Sequence, residues 1–180
     1  MSETLTIKYK ELLSLMESVE NGMKQYYIGL AERFTNRDLQ HLWIMMAQQE
    51  ETHIRLVRLM RKRSARDEDL QNSEMEVSTE SMETIRDFLD NYQKVLDDPE
   101  LSIKQGFQLA LTLESLELEP IYKPFIAKQD EPTQDVLEEL LESEDMHLNI
   151  LVKSVKRHIN DKKFHQYADS VLQEHTAHSN

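Results

Sequence analysis

The chain has 180 residues, 39% of them apolar and 31% charged, a formal net charge of -13 and no cysteine. The lack of cysteine excludes disulfides, iron–sulfur clusters and thiolate metal sites, and so acidic a balance disfavours nucleic acid as a partner. Only 3 glycines and 4 prolines are present, too few for a fold of many tight turns, whereas strong helix formers abound. An all-α fold is expected. The start, MSETLTIKYK, has no apolar core of the kind a leader peptide carries. No run reaches the roughly 18 apolar residues of a membrane span, so a cytoplasmic protein that binds no membrane is expected.

Residues 5–34 place Leu13, Met16, Met23, Tyr27, Leu30 and Phe34 at helical spacing, and Glu20 falls on the same stripe. Asn36 then suits an N-cap. A second helix to about Ser64 carries Leu39, Trp43, Met46, Ala47, Ile54 and Val57, with Glu50 and His53 in register. The polar text of 66–79 has no apolar period and reads as a connection. A shorter helix follows from Thr79 to about Leu96 on Met82, Ile85, Leu89 and Tyr92. Its apolar face covers one end of the molecule or meets a second copy.

Asp98 and Pro99 read as an N-cap and a first helical position. The helix they open carries Ile103, Phe107, Ala110 and Leu113, then Glu114 and Glu117, and Pro120 and Pro124 predict a kink. After a turn at KQDEP, Pro132 starts a last long helix to about His158 on Leu137, Leu140, Leu141, Leu148 and Leu151. The tail from Asp161 holds a short amphipathic piece (Phe164, Tyr167, Ala168, Val171) and then frays. One domain is expected: a hairpin at about 5–65, a crossover at about 66–98, a second hairpin at about 99–158 and a tail over 159–180.

A shift of 94 positions superposes Glu20 on Glu114, Glu50 on Glu144 and His53 on His147. Leu15 then meets Leu109, Met46 meets Leu140, and Tyr27 meets Ile121. Within each half the two glutamates are 30 positions apart, with midpoints at Thr35 and Gln129, the two expected turns. At about 1.5 Å per residue, each pair sits roughly 22 Å from its own turn. Two hairpins packed with their turns at the same end would bring all four glutamates into one layer. His53 and His147 follow one helical turn on, each completing a Glu-x-x-His.

Several buried carboxylates repel one another and cost several kcal/mol each when unpaired. Two divalent cations resolve this, and oxygen and nitrogen donors without sulfur suit iron or manganese. One glutamate from each of two helices and Glu-x-x-His from each of the other two is the ligand set of di-iron and di-manganese carboxylate bundles.

On Glu20, Glu50/His53, Glu114-x-x-Glu117 and Glu144/His147, the chain resembles the ferritin-like superfamily, and within it the rubrerythrin-type di-iron domain, over roughly residues 5–158. The resemblance implies an antiparallel four-helix bundle of two hairpins joined by a long crossover, with extra short helices in the crossover and at the C-terminus. It implies two iron ions (manganese being possible) held by Glu20, Glu50, His53, Glu114, Glu117, Glu144 and His147. It further implies an exchange between Glu117 and His53 with oxidation state. Glu117 has no mate in the first half, where Met23 stands. Rubrerythrins proper carry a cysteine-bound electron-delivery module, so here the donor must be a separate molecule.

The plainer readings stand beside this one. Tyr27 and Trp43 read as core, with Tyr27 able to hydrogen-bond a ligand. Glu17, His41, His158, His165, His175 and His178 read as surface, and Met16, Met23, Met46 and Met60 as core filler. The function expected is reduction of hydrogen peroxide or dioxygen by a homodimer with an external electron donor. The alternatives are a ferroxidase or iron-handling protein and a non-enzymatic metal-binding bundle.

Overall fold

The computed structural model describes residues 4–115 and 131–178, with the backbone alone given at 70, 131–133, 136–145 and 176–178. The fold is mostly helical, and among the described residues its departure from an all-α chain lies in two five-residue strands. Strand β1 (Thr4–Lys8) pairs antiparallel with β2 (Glu74–Ser78), Thr4 opposite Ser78 and Lys8 opposite Glu74. The helix expected from residue 5 therefore starts at Tyr9. Thr4, Thr6 and Ile7 are β-branched and favour the extended backbone. In β2, EMEVS alternates, burying Met75 and Val77 and exposing Glu74 and Glu76. The expected connection over 66–79 thus holds β2 and, before it, a short helix α3 (Glu68–Asn72).

Helices α1 (Tyr9–Arg33) and α2 (Arg37–Ser64) form the first hairpin. Its turn ends as expected: the Asn36 side chain accepts hydrogen bonds from the backbone N–H of Asp38 (2.9 Å) and Leu39 (3.2 Å), satisfying two otherwise orphaned donors. Helix α4 (Thr79–Asp97) follows β2 and packs on α1. Ideal Cβ atoms built on Gly22 would lie 3.0 Å from Phe88 and Leu89, and on Gly29 2.5 Å from Leu96. These two positions, two helical turns apart, let α4 lie close along α1 and run parallel to it. This is where the apolar face of α4 goes.

Helix α5 (Ile103–Glu114) starts later than expected. Asp98 ends α4, and the N-cap is Ser102, whose side chain accepts from Gln105 N while Gln105 Oε1 accepts from Ser102 N. This capping box satisfies two donors at once, which Asp98 followed by proline cannot do. The expected kink at Pro120 and Pro124 and the turn near Gln129 lie outside the described residues. Helix α6 (Glu131–His158) has Pro132 at its second position, as expected. Helix α7 (Lys162–His178) contains the expected amphipathic piece and runs on where fraying was expected; Asp161 Oδ1 caps it by accepting from Lys163 N and Phe164 N, and Phe164, Ala168 and Val171 are buried.

Near its N-terminus, α5 meets the C-terminal end of α1: Gly106 packs on Leu30, Tyr26 Oη donates to Gly106 O (3.1 Å), and Arg33 Nη2 donates to Pro99 O (2.5 Å). Glu114, twelve residues into α5, is level with the middle of α1, so α5 runs antiparallel to α1 and away from the first turn. The end of α6 lies beside the start of α2, where Arg157 pairs with Asp38 at 2.5 Å. The arrangement with both turns at one end is thereby corrected, because α4 carries the chain along α1 before α5 begins. Glu20, Glu50 and Glu114 still come together, since a residue roughly 22 Å from its turn sits at mid-height whichever way its hairpin points. Met16, Met23, Met46 and Met60 are all buried, as expected.

Candidate metal centre

Five of the seven expected ligands converge in the interior. Helix α1 supplies Glu20, α2 supplies Glu50 and His53, α5 supplies Glu114, and α6 supplies His147, none more than 3% exposed. Each stands on an otherwise apolar stripe, so the packing that buries its neighbours buries it too. His53 Nδ1 lies 3.4 Å from Glu20 Oε2 and 3.2 Å from Glu50 Oε2. His147 Nδ1 lies 3.3 Å from Glu114 Oε2 and 3.7 Å from Glu50 Oε1. The two imidazoles stack at 5.0 Å between centroids, 26° apart in plane.

The two contacts join residues that the sequence repeat relates. The pairs Glu20–His53 and Glu114–His147 exchange under the shift of 94, and their separations are 3.4 and 3.3 Å. Glu50 touches both histidines. Its repeat mate Glu144 lies on α6 three residues before His147, with its side chain outside the described atoms, and Glu117 lies outside the described residues altogether.

Tyr27 closes one side, donating from Oη to Glu114 Oε1 at 2.5 Å. Its ring stacks on Trp43 (5.7 Å, 11°), which in turn packs on Phe107 (4.8 Å). Burial alone would push the Glu114 carboxyl up, but the adjacent His147, the Tyr27 hydroxyl and His53 together hold it below its ordinary value. The Tyr27 hydroxyl is pushed well up, by burial first and then by the charges of Glu114 and Glu50.

The donor set fits a metal. One ligand atom from each of Glu50, His53 and His147 can lie within 4.8 Å of the others, all three residues being buried. Glu20 and Glu114 meet no lysine or arginine among the described residues. His147 Nε2 has no hydrogen-bond partner there either. Protonated histidines are a poor substitute for a cation, since two imidazolium rings stacked at 5.0 Å would repel each other. The group can therefore hold a metal ion; the donors are hard to borderline and contain no sulfur.

Other expected positions divide. Trp43 is core, as expected. Glu17 is not a bare surface acid: its carboxylate binds Arg58 (2.7 Å) and Arg61, and the Arg58 bond leads in holding its pKa below the ordinary value. His41 is exposed and His165 half-buried, its Nε2 2.6 Å from Ile159 O. His175, expected at the surface, is buried. The apolar stripe of α7 announces it, since Phe164, Ala168, Val171 and His175 follow at helical spacing. The side chain of His178 is outside the described atoms.

Comparison with family models, with curated proteins and with solved structures finds no match. Mostly helical and enclosing a buried Glu/His group, the chain is compatible with a di-iron helical bundle. No helix among the described residues is long and apolar enough to cross a membrane.

Proposed function

We propose that this is a rubrerythrin-like di-iron carboxylate protein that reduces hydrogen peroxide or dioxygen with electrons from an external donor. The observation that supports it most is the convergence of Glu20, Glu50, His53, Glu114 and His147 from four helices into one buried layer with repeat-related spacings. In this reading the two hairpins form a ferritin-like bundle with α4 as the crossover, and Glu144 and Glu117 complete the ligand set.

Glu50 holds the centre, within reach of both histidines, while Glu20 and Glu114 each stand beside one of them. Tyr27 fixes one oxygen of Glu114 and leaves the other facing His147. The aromatic wall of Tyr27, Trp43 and Phe107 keeps bulk water from that side. Two ferrous ions held by these residues would supply the two electrons that, with two protons, turn one peroxide into two waters. Manganese is the other candidate metal.

The test is metal analysis of the purified protein followed by stopped-flow mixing of the reduced, iron-loaded form with peroxide and with dioxygen. Two irons per chain and faster oxidation by peroxide are expected. Oxidation by dioxygen as fast as by peroxide moves the reading to a ferroxidase. A chain that binds no metal, with stability indifferent to metal, ends it. We further propose a homodimer, which gel filtration distinguishes from the hollow cage of a storage protein.

A further inference from the structure

We propose that the aromatic file Tyr27–Tyr26–Phe88–Tyr92 conducts electrons between the groove on the α1/α4 face and the buried Glu/His layer. The proposal rests on the redox reading above and names the route its external donor would use. That reading requires electrons to cross a closed core, in a chain with no cysteine on which to hold an iron–sulfur relay.

The file begins at the site, where Tyr27 Oη is bonded to Glu114. Tyr26 and Tyr27 are adjacent rings with centroids 5.9 Å apart. Tyr26 meets Phe88 edge-on at 6.1 Å, and Phe88 meets Tyr92 at 5.3 Å. Tyr26, Tyr27 and Phe88 are buried; Tyr92 is half-buried and lines the groove with Gln25, Gly29 and Leu96. Every step is thus between neighbouring π systems, and only the last ring reaches solvent. Gly22 makes the crossing between helices possible, for an added Cβ there would stand 3.0 Å from Phe88 Cε1. No ring need keep a charge in transit. A one-electron donor at Tyr92 is oxidised, the electron is taken up at the layer, and two such transfers with two protons meet one peroxide. Trp43 stacks on Tyr27 at 5.7 Å and is the one tryptophan in the chain, so it reports on the inner end of the file.

The experiment uses the full-length chain without metal, so that it does not depend on what the site binds. Gln93→Cys, beside Tyr92, gives the sole thiol, to which a ruthenium polypyridyl photo-oxidant is attached. A flash with an external quencher oxidises the label, which then takes an electron from Trp43, seen as the tryptophanyl radical absorption. We expect the radical to form, Phe88→Leu and Tyr26→Leu each to slow it by an order of magnitude or more, and Tyr26→Phe to preserve the rate because the ring remains. Tyr167→Leu, in the Phe164–Tyr167 stack on α7, should change nothing. If Tyr26→Leu does not fold, Phe88→Leu at the rim decides alone. The proposal is overturned if no Trp43 radical forms, if Phe88→Leu leaves the rate unchanged, or if Tyr167→Leu slows it as much. Loss of metal binding in the earlier test would end the iron reading and leave this result standing.

Discussion

Replacing Tyr27 by phenylalanine removes one oxygen and keeps the ring that stacks on Trp43. What is lost is a buried 2.5 Å hydrogen bond to the Glu114 carboxylate. A hydrogen bond to a charged group contributes about 1.5–3 kcal/mol, and here the carboxylate is left buried with one oxygen less well satisfied. Removing the hydroxyl also spares its own desolvation, which favours the lower half of that range. For a chain of this size about 1 kcal/mol moves Tm by roughly 2–4 °C, so Tyr27→Phe should lower the Tm of the metal-free protein by about 3–9 °C near neutral pH. The pH dependence carries a definite sign. Folding holds the Glu114 carboxyl below its ordinary 4.5, so its ionised form contributes stability in full above that value and loses it as pH falls through the depressed one. The gap between parent and variant should therefore be complete at neutral pH and narrow in acid below 4.5. Thermal unfolding followed by circular dichroism at several pH values measures it. A variant within about 1 °C of the parent at neutral pH would mean that this hydroxyl supports no buried charge, and the electrostatic account of the layer would fall with it.

Glu50→Gln keeps the shape but replaces the carboxylate that lies within reach of both histidines, so bound metal per chain should drop on elemental analysis. Asn36→Ala strips the cap of α2 and should lower stability by about 1 kcal/mol in urea unfolding, while Asn36→Gly costs only a few tenths. Glu17→Gln tests the Arg58 and Arg61 pairs. These are largely exposed on the arginine side, so the expected loss is at most about 1 kcal/mol at neutral pH. Because the Glu17 pKa is depressed, that loss should vanish as the solution is acidified below 4.5, and it should also vanish in high salt.

The first hairpin was legible because two independent signals agree on its turn: the end of an apolar stripe at Phe34 and a capping residue at Asn36. The buried Glu/His cluster was legible because a charged residue on an apolar stripe is conspicuous and the stripe recurs after 94 positions. The ribbon was not, since five residues hold barely two periods of alternation and EMEVS sits inside charged text. Nor was the direction of the second hairpin. A residue midway along a helix stays midway when the hairpin is inverted, so glutamate spacing says nothing about orientation. That is decided by α4, whose 19 residues span about 28 Å and whose partners are two glycines on another helix. A glycine in a helix reads in sequence as a weakness; only the neighbour it admits shows its use.

The residues that the shift of 94 relates are not equally held in the buried layer, and the inequality is written at one pair of positions. Tyr27 belongs to the first half, yet its hydroxyl binds Glu114 of the second. Its mate under the shift of 94 is Ile121. Wherever that side chain lies, it has no hydrogen-bonding group to return to Glu20. Glu114 is thus held by His147 and by a neutral donor in a buried setting, whereas Glu20 is held by His53. The bond to Tyr27 also costs Glu114 a lone pair and some freedom to reorient. Among the described residues Glu114 alone of the two carries a second side-chain bond, so a cation beside it would meet a glutamate pinned in direction. The more exchangeable position of the centre should be the one beside Glu20 and His53.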